Sequence, residues 1–300
     1  MNADKTLGIM AYIDNTPNMI EEFGWLYKSW IHSGNWRTSD LIIVHHPDAA
    51  PHLPQGESGV ILIPAMPVAV PGSAFEGYPF INSIACLSGP HVEAVARRYS
   101  HLLRTDADVF LTENLTDFRP VSAVHGRGLY HRTAAFRDGM LDFCRRHGVE
   151  HMNHFGCGHS LLAPTDLVLH MVARQTYRTE VVLKDFGDNP GVWPGWFRGV
   201  ATMYAAEIVC NENWIQFLYT GRERILDYES FSDCDIDGMV YRIHAIFGDK
   251  YFSKFRYRSG DYRHMDIAGL NRGRVAEYCH WVAEADLDGV KAEGGYPATL

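Results

Sequence analysis

The sequence predicts an α/β fold, a sheet with helices on both faces in a single continuous domain, and three observations carry that expectation. Over about the first 120 residues, short apolar runs bounded by turn residues alternate with stretches whose apolar positions recur at three- and four-residue steps. The 300 residues are 46% hydrophobic and 21% charged, which suits one large domain and excludes disordered, collagenous and coiled-coil chains. No repeat, linker or low-complexity segment divides the chain.

The elements follow in order. Leu7 to Ile13 is apolar and short, and the turn residues Asp14, Asn15, Thr16 and Pro17 end it, as expected of a buried strand delivering a loop. Ile20, Phe23, Tyr27, Trp30 and Ile31 then recur at helical spacing until Gly34. Asp40 to Val44 reads as a second buried strand and Val60 to Ile63 as a third. Beyond a loop rich in proline and glycine, Phe80 to Leu87 looks helical, and Val92, Val95, Ala96 and Tyr99 form one face of a helix leading into Leu102 and Leu103. This alternation implies a mostly parallel sheet, in which ligands bind beyond the carboxyl ends of the strands. After residue 121 the pattern is less regular. Two apolar or helical runs, Leu161 to Ala173 and Val200 to Cys210, flank a loop from Lys184 to Arg198.

Composition narrows the function classes. Twenty-seven Lys and Arg against 36 Asp and Glu give a net charge of −9, which argues against coating nucleic acid by bulk attraction. Six scattered cysteines without a CxxC pair suggest neither a disulfide framework nor a thiolate zinc site, and they suit a reducing compartment. No signal-peptide pattern opens the sequence. The longest apolar stretch, Val60 to Val70, contains two prolines and is shorter than the roughly 20 residues a bilayer demands. The expectation is a cytoplasmic protein with no membrane partner. Sixteen histidines make metal chemistry worth testing.

The most informative segment is Leu102-Leu103-Arg104-Thr105-Asp106-Ala107-Asp108-Val109-Phe110-Leu111. It sets two carboxylates, spaced i and i+2, between apolar runs that cannot bury them without partners. A hard divalent cation, Mg²⁺ or Mn²⁺, is one natural partner, since such ions take oxygen ligands and leave positions for substrate phosphates. Two solvated aspartates at a strand end are the plainer alternative.

In its chain order, with an Asp-x-Asp after about a hundred residues of alternating strand and helix, the sequence resembles the GT-A class of nucleotide-sugar glycosyltransferases. That resemblance implies a GT-A-like, Rossmann-type mixed sheet, with residues 1–120 as the nucleotide-sugar-binding half and 121–300 as the acceptor-binding and C-terminal half of the same domain. It further implies Asp106 and Asp108 as metal ligands, with Tyr12, Asn15 and Arg104 near the donor. Many retaining members add a late histidine to the metal shell, then a glycine and a lysine that touch the diphosphate; His244, which the resemblance makes a third metal ligand, Gly248 and Lys250 occupy a comparable order here. The spacing departs from the glycogenin-like pattern, and no Pro-Trp pair follows Lys250.

Other segments carry weaker signals. The loop Lys184 to Trp196 joins acids and tryptophans, which nominates Asp188, then Asp185, as catalytic carboxylates and Trp193 and Trp196 as acceptor platforms. Equally, the tryptophans could bury the loop and the acids cap turns. Between Tyr241 and Arg274, eight basic residues interleaved with aromatics meet only three acids. Such a stretch could hold a diphosphate or a nucleic acid. His151, His154, Cys157 and His159 have zinc-compatible chemistry but not the usual paired spacing. Asp233, Asp235 and Asp237 copy half of a calcium loop and lack its closing glutamate.

The function expected from these signs is Mn²⁺- or Mg²⁺-dependent transfer of a sugar from a nucleoside diphosphate sugar to a hydroxyl acceptor. The acceptor classes are a glycan, a small molecule, or a hydroxymethylated base in DNA, the last through a distant resemblance to phage or base-J-type DNA glucosyltransferases. The alternatives are a metal-dependent nucleotidyl or phosphoryl transferase and a non-catalytic sugar-nucleotide-binding module.

Overall fold

A computed structural model describes residues 5–213, 226–246, 248 and 251–297. Strand β1 (Leu7–Ile13) is buried along its whole length, which is why it reads as an unbroken apolar run. Helix α1 (Pro17–His32) begins where the Thr16 hydroxyl accepts the Met19 N–H and Pro17 fills the first position. Strand β2 (Ser39–His45) pairs in parallel with β1, and β3 (Val60–Pro64) pairs in parallel with β2. The short helices α2 (Asn82–Ala85) and α3 (Pro90–Ala96) lead to β4 (His101–Arg104), parallel to the other side of β1.

After β4 the chain departs from a purely parallel plan. Strand β5 (Val109–Leu111) leaves the large sheet, which then gains β6 (Val124–Arg127), helix α4 (Ala134–Arg146) on its face, and β7 (Cys157–Pro164). Strand β7 runs antiparallel to both β4 and β6, so the sheet order is β3-β2-β1-β4-β7-β6. The run from Leu161 to Ala173 therefore divides. Its first part completes β7, and Pro164, with extended backbone, separates that strand from α5 (Thr165–Phe186). Helix α6 (Ala201–Glu212) follows, and then β8 (Tyr228–Glu229) and β9 (Arg242–His244) form a second sheet, β5-β9-β8. Helices α7 (Lys254–Ser259), α8 (Val275–Glu284) and α9 (Leu287–Gly294) close the chain.

Alternation along the strands makes two cores. Leu7, Ile9 and Leu103 face α1, α8 and α9, whereas Met10, Tyr12 and Leu102 face α4, α5 and α6. The result is a mixed α/β sheet covered on both faces in one domain, compatible with the GT-A-like expectation. Among the described residues no helix is long and apolar enough to cross a membrane.

Candidate metal centre and its cavity

Strand β4 ends at Arg104 and β5 begins at Val109, so Asp106 and Asp108 lie in the link between the two sheets, beyond the carboxyl end of a parallel strand. Antiparallel pairing of β5 with β9 sets His244 opposite Val109, and the Ala245 N–H donates to the Asp108 carbonyl at 2.8 Å. That register brings His244 Nε2 to 3.3 Å from Asp108 Oδ2. The ligand-capable atoms of Asp106, Asp108 and His244 all lie within 4.8 Å of one another.

Each charge in this group has a counterpart. His244 Nδ1 is 3.3 Å from Asp227 Oδ1, so a carboxylate holds the far side of the ring while Nε2 faces Asp108. Asp227 pairs with the fully buried Arg242 at 2.5 Å, and Arg242 also donates to Thr105 Oγ1 at 2.7 Å and to the Leu226 carbonyl. The Asp227 carboxylate packs against Gly126 of β6 and Gly158 of β7, where an added Cβ would come within 1.6 Å and 2.5 Å of Oδ2. Arg104, 1% exposed, reaches Asp106 at 3.2 Å and the His159 carbonyl. Lys254, the first residue of α7, donates to Asp108 at 2.5 Å and lies 3.7 Å from Glu22, which Arg258 also binds.

Burial and these partners set the proton affinities. Burial alone would raise the Asp108 carboxyl, but His244 and Lys254 hold it well below the usual range. Asp106 is lowered too, chiefly by the Arg104 guanidinium against the effect of burial. For His244 burial opposes the charged form, yet Asp108 and Asp227 push it up to about 9. His159 goes the other way, brought down to about 4 chiefly by burial, so it is a neutral imidazole at physiological pH.

A cavity of about 360 Å³ opens beside this group, and Asp106, Asp108, His159, Tyr12, Ser83 and Glu22 contribute to its lining. The Tyr12 hydroxyl is buried without a hydrogen-bond partner.

The structure brings together Tyr12, Arg104, Asp106, Asp108 and His244 from the residues picked out in the sequence. Asn15 is exposed and outside the cavity lining, although its neighbour Asp14 contributes to it. Lys250 lies outside the described residues. None of Asp185, Asp188, Trp193 and Trp196 lines this cavity. Asp185 is engaged by Arg146 and by His147, while Trp196 stacks on Tyr204 and Phe186 beside Phe136 and Phe143. Trp193 is 48% exposed. In the basic aromatic stretch, Arg242, Lys254, Arg256, Arg258, Arg272 and Arg274 are each paired with a carboxylate, so its cationic excess is largely met inside the fold. Of the zinc-like run, His159 lines the cavity whereas His151 faces Glu207.

Sequence reasoning missed Asp227, Glu22 and the specific part of Lys254. Lys254 stood among the basic residues of the 241–274 stretch, and His159 in the histidine-rich run. Asp227 carried no signal, because only the β8–β9 pairing brings it to His244.

Residues 70–292 match the family described as Domain of unknown function (DUF7164), and the chain belongs to that family. No curated protein matches it.

Proposed function

We propose that the protein is a metal-dependent transferase that moves a sugar from a nucleoside diphosphate sugar to a hydroxyl acceptor. The observation that carries this reading is the convergence of Asp106, Asp108 and His244 beyond the end of β4, beside the cavity. The three residues fit a divalent cation. They supply two carboxylates and one imidazole, a set suited to Mn²⁺ and, with more of its positions left to water, to Mg²⁺. The Asp227 carboxylate behind His244 is the outer support that metal-binding histidines usually have. When bound, such an ion would neutralise the charge that builds on a departing diphosphate.

The chain's own residues do the rest. Arg104 fixes the Asp106 carboxylate from inside the core and the register of β5 on β9 orients His244. Lys254 supplies a cation at the same edge, available to a phosphate oxygen once Asp108 has another partner. Tyr12 contributes part of the cavity wall against which the donor would lie.

The test is a thermal-shift screen of nucleoside diphosphates and their sugars, each with and without Mn²⁺. Stabilisation by one nucleotide only when Mn²⁺ is present is expected. Asp108→Asn should remove that stabilisation while the protein stays folded. Unchanged binding in the variant would exclude the assigned ligand set, and release of pyrophosphate from a nucleoside triphosphate would replace sugar transfer by nucleotidyl transfer.

A further inference from the structure

A second group of metal-ligating side chains lies away from the cavity lining. His125 of β6, Cys157 of β7 and Cys210 of α6 are all buried, with their ligand-capable atoms within 4.8 Å of one another. Cys157 Sγ is 3.1 Å from His125 Nδ1, Cys210 Sγ is 3.2 Å from Nε2, and the two sulfurs are 3.7 Å apart. We propose that these three residues bind a zinc ion that ties β6, β7 and α6 together.

The sulfur spacing is the first support. With Zn–S bonds of about 2.3 Å, tetrahedral geometry places two thiolate sulfurs about 3.8 Å apart. A disulfide would require roughly 2.05 Å. Because each sulfur faces a different ring nitrogen, the His125 ring must reorient to complete the set with one of them, leaving a fourth position for water. Charge is the second support. As two Zn–S bonds form, two thiol protons leave to solvent and the imidazole binds through a neutral nitrogen. The complex carries no net charge, so an apolar core tolerates it.

The surroundings hold the ligands in place. The buried Glu207, one turn before Cys210 on α6, accepts the Gly156 N–H at 2.7 Å and the Tyr130 hydroxyl at 2.9 Å. The same Tyr130 hydroxyl proton is shared with the Cys157 carbonyl, 2.8 Å away. The backbone on either side of the Cys157 N–H is thus pinned to the helix that carries the other cysteine. Cys157 precedes the cavity residue His159 by two positions, so the zinc would steady a strand that forms one wall of that cavity.

The experiment measures metal in the full-length protein purified without chelators, by plasma mass spectrometry, and then replaces it with Co²⁺. About one zinc per chain and a thiolate-to-cobalt charge-transfer band are expected. Cys210→Ala should lose both, and Asp108→Asn should keep both, which separates this site from the carboxylate centre. The cobalt spectrum of the unaltered protein needs no variant to fold. Absence of zinc together with absence of the cobalt band would overturn the proposal, and so would a Cys157–Cys210 disulfide in the native protein.

Discussion

The carboxylate centre and the thiol cluster solve the burial of polar side chains in opposite ways. Around Asp108 every carboxylate is matched by a cation: Asp106 by Arg104, Asp108 by His244 and Lys254, and Asp227 by Arg242. Around Cys157 the ligand-capable side chains are two thiols and an imidazole, with no carboxylate among them. Ion pairs inside a protein recover little more than their desolvation cost, so a chain that needed only stability would place apolar side chains at the first position. That network therefore speaks for function. The second cluster is inexpensive as ordinary core and becomes a cross-link once a metal replaces its protons.

Three perturbations test this contrast, beginning with the largest. Arg242→Met takes from the buried Asp227 the first of its two cations and leaves it only His244, and it should lower unfolding free energy in urea by about 3 kcal/mol. A loss below about 1 kcal/mol would mean that Asp227 is not held as a buried charge. Next, stripping the thiol cluster with a soft-metal chelator should cost roughly 3 kcal/mol for an ion held at a hundred times its Kd, read as a lower Tm restored by Zn²⁺. Insensitivity of Tm to the chelator would make the cluster plain core. Lys254→Met removes one of two cations from Asp108 and should cost about 1–2 kcal/mol. The same variant should weaken Mn²⁺-dependent nucleotide binding, and equal binding would remove Lys254 from the site.

The smallest effect per pH unit is a background one, away from both regions. Lys28 of α1 donates to the Ala283 and Ala285 carbonyls, and burial lowers its ammonium from 10.5 to about 8. Between those values the unfolded chain binds more protons than the folded one, so this contribution to stability grows as pH rises and is lost as pH falls towards 8. The slope should approach about 1 kcal/mol per pH unit. It should be absent in Lys28→Met, and a slope unchanged by that substitution would assign it to other groups.

Much of the first half of the fold was legible because parallel strands buried on both faces read as apolar runs, and α1 shows its inward face at regular spacing. Asp106 and Asp108 were legible for the same reason, as charges set between such runs. Strand β7 was not, because Leu161 to Ala173 reads as one apolar or helical run although Pro164, Thr165 and Asp166 divide it. The thiol cluster was hidden more deeply. The absence of a CxxC pair argued against thiolate zinc, whereas Cys157 and Cys210 come from a strand and a helix that only tertiary packing unites. Lys254 was visible as one of several cations, but which of them reaches Asp108 depends on where α7 begins.

The seat of Asp227 on Gly126 and Gly158 limits how the chain can be cut. A fragment ending near residue 120 would carry both aspartates of the Asp-x-Asp, but not His244, its carboxylate support, or the two glycines that admit that support. Its Arg104 would lose the contact to His159, and its Asp108 the contact to Lys254. Modular borrowing of the first half by another protein would thus transfer a motif without its electrostatic setting. Substitutions at Gly126 or Gly158 are expected to be as consequential as those at the aspartates, although neither glycine can bind anything itself.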